Sequence, residues 1–145
     1  LILFFSFILI LTFITLSGIH IYWALGGKWG ASVAIPSIEG NKKVFEPGPF
    51  ATLIVAFGLF FFAAIVYFNA FETGIMSNWV LNIILTKGLW LIMIVFLLRA
   101  IGEFKYVGFF KKVKDTSFGK ADAQLFTPLC LGISLISLIL IIIKS

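Results

Sequence analysis

Four apolar stretches constrain this chain most, because each is long enough to cross a bilayer as a helix. A spanning helix needs about 20 largely apolar residues. The stretches run from Leu1 to about Leu25, from Phe50 to about Phe71, from about Trp79 to Leu98 with an extension to Glu103, and from about Leu125 to Ile143. Barrel strands would be shorter and would alternate. The expected fold is all-α: an integral membrane four-helix transmembrane bundle forming a single domain over residues 1–145, with spans at about 1–25, 50–71, 79–103 and 125–143. Pro49 and Pro128 fall near the starts of the second and fourth spans, where the missing N–H of proline costs nothing. Thr127 is a candidate cap for the fourth. The first span is not read as a cleaved signal peptide. Its apolar run is too long and continues through Gly18–Trp23 without a small-x-small cleavage site.

Composition narrows the function classes. Hydrophobic residues make up 61% of the chain, charged residues 12%, and the mean hydropathy is +1.16. Soluble domains average about 45–50% apolar and about 25% charged residues. A soluble fold of this size could not hide so much apolar surface. Disorder, a conventional soluble enzyme and a nucleic-acid-binding domain are therefore excluded. The net charge of +5 lies between the apolar runs, which suits orientation and anionic headgroups. Membrane lipids are the expected partners, with no nucleic acid. A single cysteine, Cys130, allows neither an internal disulfide nor a C-x-x-C pair. A single histidine, His20, excludes a bis-histidine haem within the chain, and the Cys/His supply is too small for a zinc site. No metal and no cofactor are expected.

The cations are unevenly placed. Lys28, Lys42 and Lys43 lie between the first two spans. Lys105, Lys111, Lys112, Lys114 and Lys120, with Arg99 nearby, lie between the last two. The middle loop, about Glu72 to Asn78, has no lysine or arginine. The positive-inside rule puts loops 26–48 and 104–124 in the cytoplasm and both termini outside. Lys144 pulls weakly the other way.

Nearly all the unusual polar residues gather on that basic side. His20, Tyr22, Trp23 and Trp29 form one group and Arg99, Glu103 and Asp122 another. These seven are the candidate ligand-binding residues; no catalytic residue is assigned. His20 has a side chain that titrates near neutrality and suits acid–base work. The plainer reading is a hydrogen-bonded histidine beside an aromatic anchoring belt. Arg99 and Glu103, four apart, would share a helix face and pair. Arg99 would then either anchor the third span or hold an anionic headgroup or carboxylate with its planar fork. Lys87 is the intramembrane charge. It lies twelve positions before Arg99, about 18 Å along a helix. Lys87 either snorkels to an interface or sits buried against an anion or in a proton relay. Thr127, Cys130, Ser134 and Ser137 form a stripe of small residues, read as a packing face. Cys130 has no cationic neighbour in sequence to make it a nucleophile.

Two blocks carry a resemblance. The first is His20-Ile21-Tyr22-Trp23-Ala24-Leu25-Gly26-Gly27-Lys28-Trp29-Gly30. The second is Arg99-Ala100-Ile101-Gly102-Glu103-Phe104, followed by Gly108-Phe109-Phe110, Thr116, Phe118, Asp122 and Pro128-Leu129-Cys130. Together they resemble a small bacterial membrane family catalogued as domain of unknown function 3995. The resemblance covers almost the whole chain and implies a four-span protein of a bacterial inner membrane. It implies no activity.

Three functions compete. The first is a ligand- or lipid-binding or accessory membrane protein, with Arg99, Glu103, His20 and Trp23 lining one cytoplasmic cleft. The second is a small membrane enzyme using His20 and Glu103 as acid and base on a lipid-like substrate, which requires hydrogen-bond reach between them. The third is a small transporter, which predicts a dimer and a midplane charge, with Lys87 its best candidate and no acidic residue deep in a span. A homo-oligomer or a protein partner fits the first and third readings.

Overall fold

The computed structural model describes residues 1–38, 42–71 and 78–145. In chain order the elements are α1 (Ile2–Ala24), a single turn α2 (Ala31–Ala34), the two-residue strands β1 (Ser37–Ile38) and β2 (Lys42–Lys43), α3 (Pro49–Phe71) and α4 (Trp79–Ile101). A composite last helix follows, made of α5 (Ser117–Ala121), a π-helical turn (Asp122–Phe126) and α6 (Thr127–Lys144). β1 and β2 pair antiparallel, Ser37 opposite Lys43. Among the described residues, four helices are long and apolar enough to cross a membrane. α1, α3 and α4 have 23 residues each, about 34 Å at 1.5 Å per residue, against a hydrocarbon core of about 30 Å. The chain is an all-α, multi-pass transmembrane bundle.

Two span boundaries differ from the sequence reading. α4 stops at Ile101, because Gly102 adopts φ +80° and ψ −175°, a region open in practice only to glycine. The last helix starts at Ser117, well before Leu125. Thr116 caps it, its Oγ1 accepting from Gly119 N at 2.9 Å. Thr127 therefore lies inside a helix and does not cap one, and Asp122 becomes a buried acid within the fourth span, where none was expected. Pro128 explains the wide turn. Proline lacks an N–H, and its ring crowds the carbonyl four residues back. The backbone opens ahead of it, so that Thr127 N bonds Asp122 O, five residues away. Apart from Asn78, the middle loop expected at 72–78 lies outside the described residues.

α1 packs mainly along α3, and α4 along α6; the pairs join through α3–α4 and α1–α6. Phe13, Phe62 and Phe96 meet at their centre, with ring centroids 5.5–6.2 Å apart. Gly88 lets α3 and α4 approach: a Cβ there would stand 2.7 Å from Ile65 Cγ2. Hydrogen bonds stitch the helices where lipid offers no water. Ser17 Oγ donates to Ala56 O (2.8 Å), Asn69 Nδ2 to Leu85 O (2.9 Å) and Ser134 Oγ to Met93 O (3.1 Å). Thr127, Cys130, Ser134 and Ser137 are all buried. The outer faces expose Phe7, Phe57, Phe61, Ile94 and Ile142, the apolar surface that a bilayer would cover.

Lys87 lies on the exposed face of α4, next to the Asn82–Thr86 side-chain hydrogen bond. Helical side chains lean toward the N-terminus, so its ammonium reaches most easily toward the Asn78 end. At that same end Lys144 Nζ donates to Asn69 O and caps α3. The opposite end gathers the segments after α1 and after α4, where α2 packs on α5 and α5 touches β1.

Candidate functional site: an aromatic-walled cavity and a buried carboxylate hub

The block after α1 folds back on the helix. Gly26 takes φ +93°, and Gly27 N bonds Tyr22 O at 2.9 Å. A Cβ on Gly27 would lie 2.3 Å from the Tyr22 ring, so the ring rests directly on glycine backbone. Trp23 Nε1 donates to Trp29 O (2.8 Å), and Trp29 N donates to Tyr22 Oη (3.4 Å). Tyr22 and Trp23 thus clamp the segment that bears Trp29, whose indole stays 75% exposed. An exposed indole at a helix end suits the membrane interface.

Beside this clamp is a cavity of about 680 Å³. His20, Trp23 and Lys28 form one wall; Lys43, Phe45 and Glu46 form another; Ala51, Thr52 and Val55 of α3 complete it. Its volume is in the range of small-molecule sites. His20 Nδ1 lies 2.7 Å from Leu16 O. A carbonyl can only accept, so Nδ1 carries the proton and Nε2 of the neutral ring keeps the lone pair. The imidazole stands edge-on to Trp23, centroids 5.2 Å apart. Lys43 pairs with Glu46, and Lys28, Ser32 and the imidazole are further polar groups of the lining. A cation, an imidazole and an apolar floor thus share one cavity.

The second block builds a different object. Asp122 is fully buried and accepts four hydrogen bonds. Arg99 Nη2 donates to Oδ1 (2.8 Å); Gly108 N (2.9 Å), Lys111 Nζ (3.0 Å) and Thr127 Oγ1 (3.1 Å) donate to Oδ2. In a regular helix residues five apart diverge by about 140°; the π turn puts Thr127 and Asp122 on one face. The donors come from α4, the loop after it and α6, so one carboxylate ties three segments together. Gly102 and Gly108 permit this by touching back to back. A Cβ on Gly102 would lie 1.8 Å from Val107 O, and one on Gly108 would lie 2.3 Å from Ile101 O. Phe109 N closes the loop on Ala100 O at 2.9 Å. Two cations meet one anion here. Arg99 Nη1 is buried with no partner among the described residues.

The expected Arg99–Glu103 pair does not form. Because α4 ends at Ile101, Glu103 leaves the helical face, and its carboxylate accepts from Tyr106 N. Arg99 turns to Asp122 instead. His20 and Trp23 share the large cavity, with Tyr22 and Trp29 behind its wall, while Arg99, Glu103 and Asp122 do not line it. The two blocks are therefore not brought into one cleft. Sequence reasoning missed Lys111, whose burial nothing distinguishes from its lysine neighbours, and the Lys43–Glu46 pair. The Gly102/Gly108 spacing was the one available sign of a tight loop.

The family described as "Protein of unknown function (DUF3995)" matches residues 13–137, from within α1 to within α6. No curated protein and no solved structure matches the chain.

Proposed function

This chain belongs to the DUF3995 family of unknown function, and from that premise we propose that it is a membrane protein that binds an amphiphile in the His20 cavity. The observation that carries this reading is the cavity itself: about 680 Å³ at the basic end of the bundle, walled by His20, Trp23 and Lys28. Lys28 and His20 would meet the polar head. Val55, Ala51 and Phe45 would take the apolar part. By the positive-inside rule this end faces the cytoplasm of a bacterial inner membrane.

Native mass spectrometry of the full chain, extracted with its own lipids, tests the proposal. The parent is expected to keep one adduct of defined mass. Val55→Trp, which fills the cavity, and His20→Phe, which removes its ring nitrogens, are expected to lose it. Heterogeneous lipid, bound equally by parent and variants, would overturn it. The mass separates a bound lipid from a small metabolite.

A further inference from the structure

A second cleft, of about 250 Å³, opens between the loop after α4 and the start of the last helix. It shares no lining residue with the His20 cavity. Its walls carry Lys111, Lys114, Lys120 and Gln124 and, among the described residues, no acidic residue. Lys111 is 4% exposed. An ammonium has three N–H groups, and Asp122 and Gly108 O take two of them. The third has no acceptor among the described residues. Beneath the cleft, Asp122 is already shared between Arg99 and Lys111, so its single charge does not balance theirs. None of the ion pairs among the described residues uses Lys114 or Lys120. Exposed Phe109 lines the cleft. Phe104 and Phe110 stand nearby with ring centroids 6.1 Å apart, both exposed.

We propose that this cleft is a phosphate site, built to hold the phosphate of an anionic lipid headgroup or a free phosphate ion. Lys114 and Lys120 supply mobile charge at the mouth, and Lys111 a fixed donor at the base. Gln124 supplies an amide N–H. The phenylalanines sit where aromatic rings anchor a protein at the bilayer surface, which brings a lipid phosphate to the mouth of the cleft. An anion here also completes the neutralisation of a buried centre that carries one carboxylate and two cations. The proposal is independent of the His20 cavity.

The test uses full-length protein in phosphatidylcholine nanodiscs containing phosphatidylglycerol, with lipid retention read by native mass spectrometry. Lys114→Gln/Lys120→Gln is compared with Lys105→Gln/Lys112→Gln, which removes the same charge from exposed lysines of the same loop that line neither the cleft nor the His20 cavity. Retention of phosphatidylglycerol is expected to fall about tenfold in the first pair and to change little in the second. In a parallel arm, inorganic phosphate is added to lipid-depleted protein and followed by phosphorus NMR. Line broadening that the Lys114/Lys120 variant abolishes, without selective lipid retention, assigns the site to free phosphate. Equal losses in both lysine pairs, or no loss and no broadening, would overturn the proposal. Because the amphiphile adduct is scored with Val55→Trp, failure here leaves that result standing, and the reverse.

Discussion

Arg99 and Asp122 are bonded at 2.8 Å, Nη2 to Oδ1, and this contact locks the last turn of α4 to the first turns of the final helix. Arg99 sits where a cation also meets the carbonyl end of the α4 dipole. The partly exposed stem of the arginine faces outward while its head turns in, the reverse of snorkelling.

Removing the acid should therefore be costly. Asp122→Asn keeps the shape but strands Lys111 and Arg99. Breaking a buried pair from one side costs about 3–5 kcal/mol. Equilibrium unfolding in mixed micelles should register a loss of that order, and adding Lys111→Met to Asp122→Asn should restore part of it. An unchanged midpoint for Asp122→Asn would mean that the hub contributes no stability.

Glycine substitutions should divide sharply. Gly102→Ala and Gly108→Ala force a Cβ into backbone at positive φ, at a cost of at least about 2 kcal/mol each. Gly58→Ala and Gly132→Ala meet nothing within 4 Å and should stay within about 1 kcal/mol of the parent. Thermal denaturation of the four variants in one detergent makes the comparison.

At the α3–α4 contact, Gly88→Ala overpacks against Ile65 and should cost about 1–3 kcal/mol. Ile65→Ala in the same chain should relieve much of the clash. If the double variant loses as much as the two single variants summed, the close approach is not what Gly88 provides.

The interhelical bonds of Ser17, Asn69 and Ser134 should be individually modest. Such bonds in membranes average about 0.6 kcal/mol and reach about 1.7. Ser17→Ala and Ser134→Ala are expected near the lower figure. Asn69→Leu, which loses bonds to both Ile65 O and Leu85 O, is expected near the upper. Unfolding midpoints resolve the order.

The helices were legible because lipid imposes a simple rule: about 20 apolar residues per crossing. Pro128 was legible as a special position, but near a helix start, since nothing in the local pattern shows that the backbone would widen and continue back to Ser117. Arg99 was visibly important, and its partner was misjudged for a definite reason. The i,i+4 rule assumes an unbroken helix, and Gly102 breaks it between Arg99 and Glu103. His20 and Trp23 were found through their aromatic setting. Glu46 and Thr52 reach the same cavity only because α3 folds back along α1, a contact that no spacing within either segment encodes.

The wide turn at Asp122–Phe126 also sets a phase. A regular helix turns by about 100° per residue, and the wide turn takes up one extra residue without that rotation. Deleting any one of residues 123–126 would let a regular α-helix run through from Ser117 to Lys144. Asp122 and Thr127 would then stand four apart, about 40° round the helix, so Asp122 would still face Arg99 while the Ser134 and Ser137 stripe kept its seat against α4. At this point in the chain the wide turn absorbs one residue: the same sequence wound as a regular α-helix would carry Asp122 about 100° away from Arg99, whereas a chain one residue shorter would keep the hub without the turn.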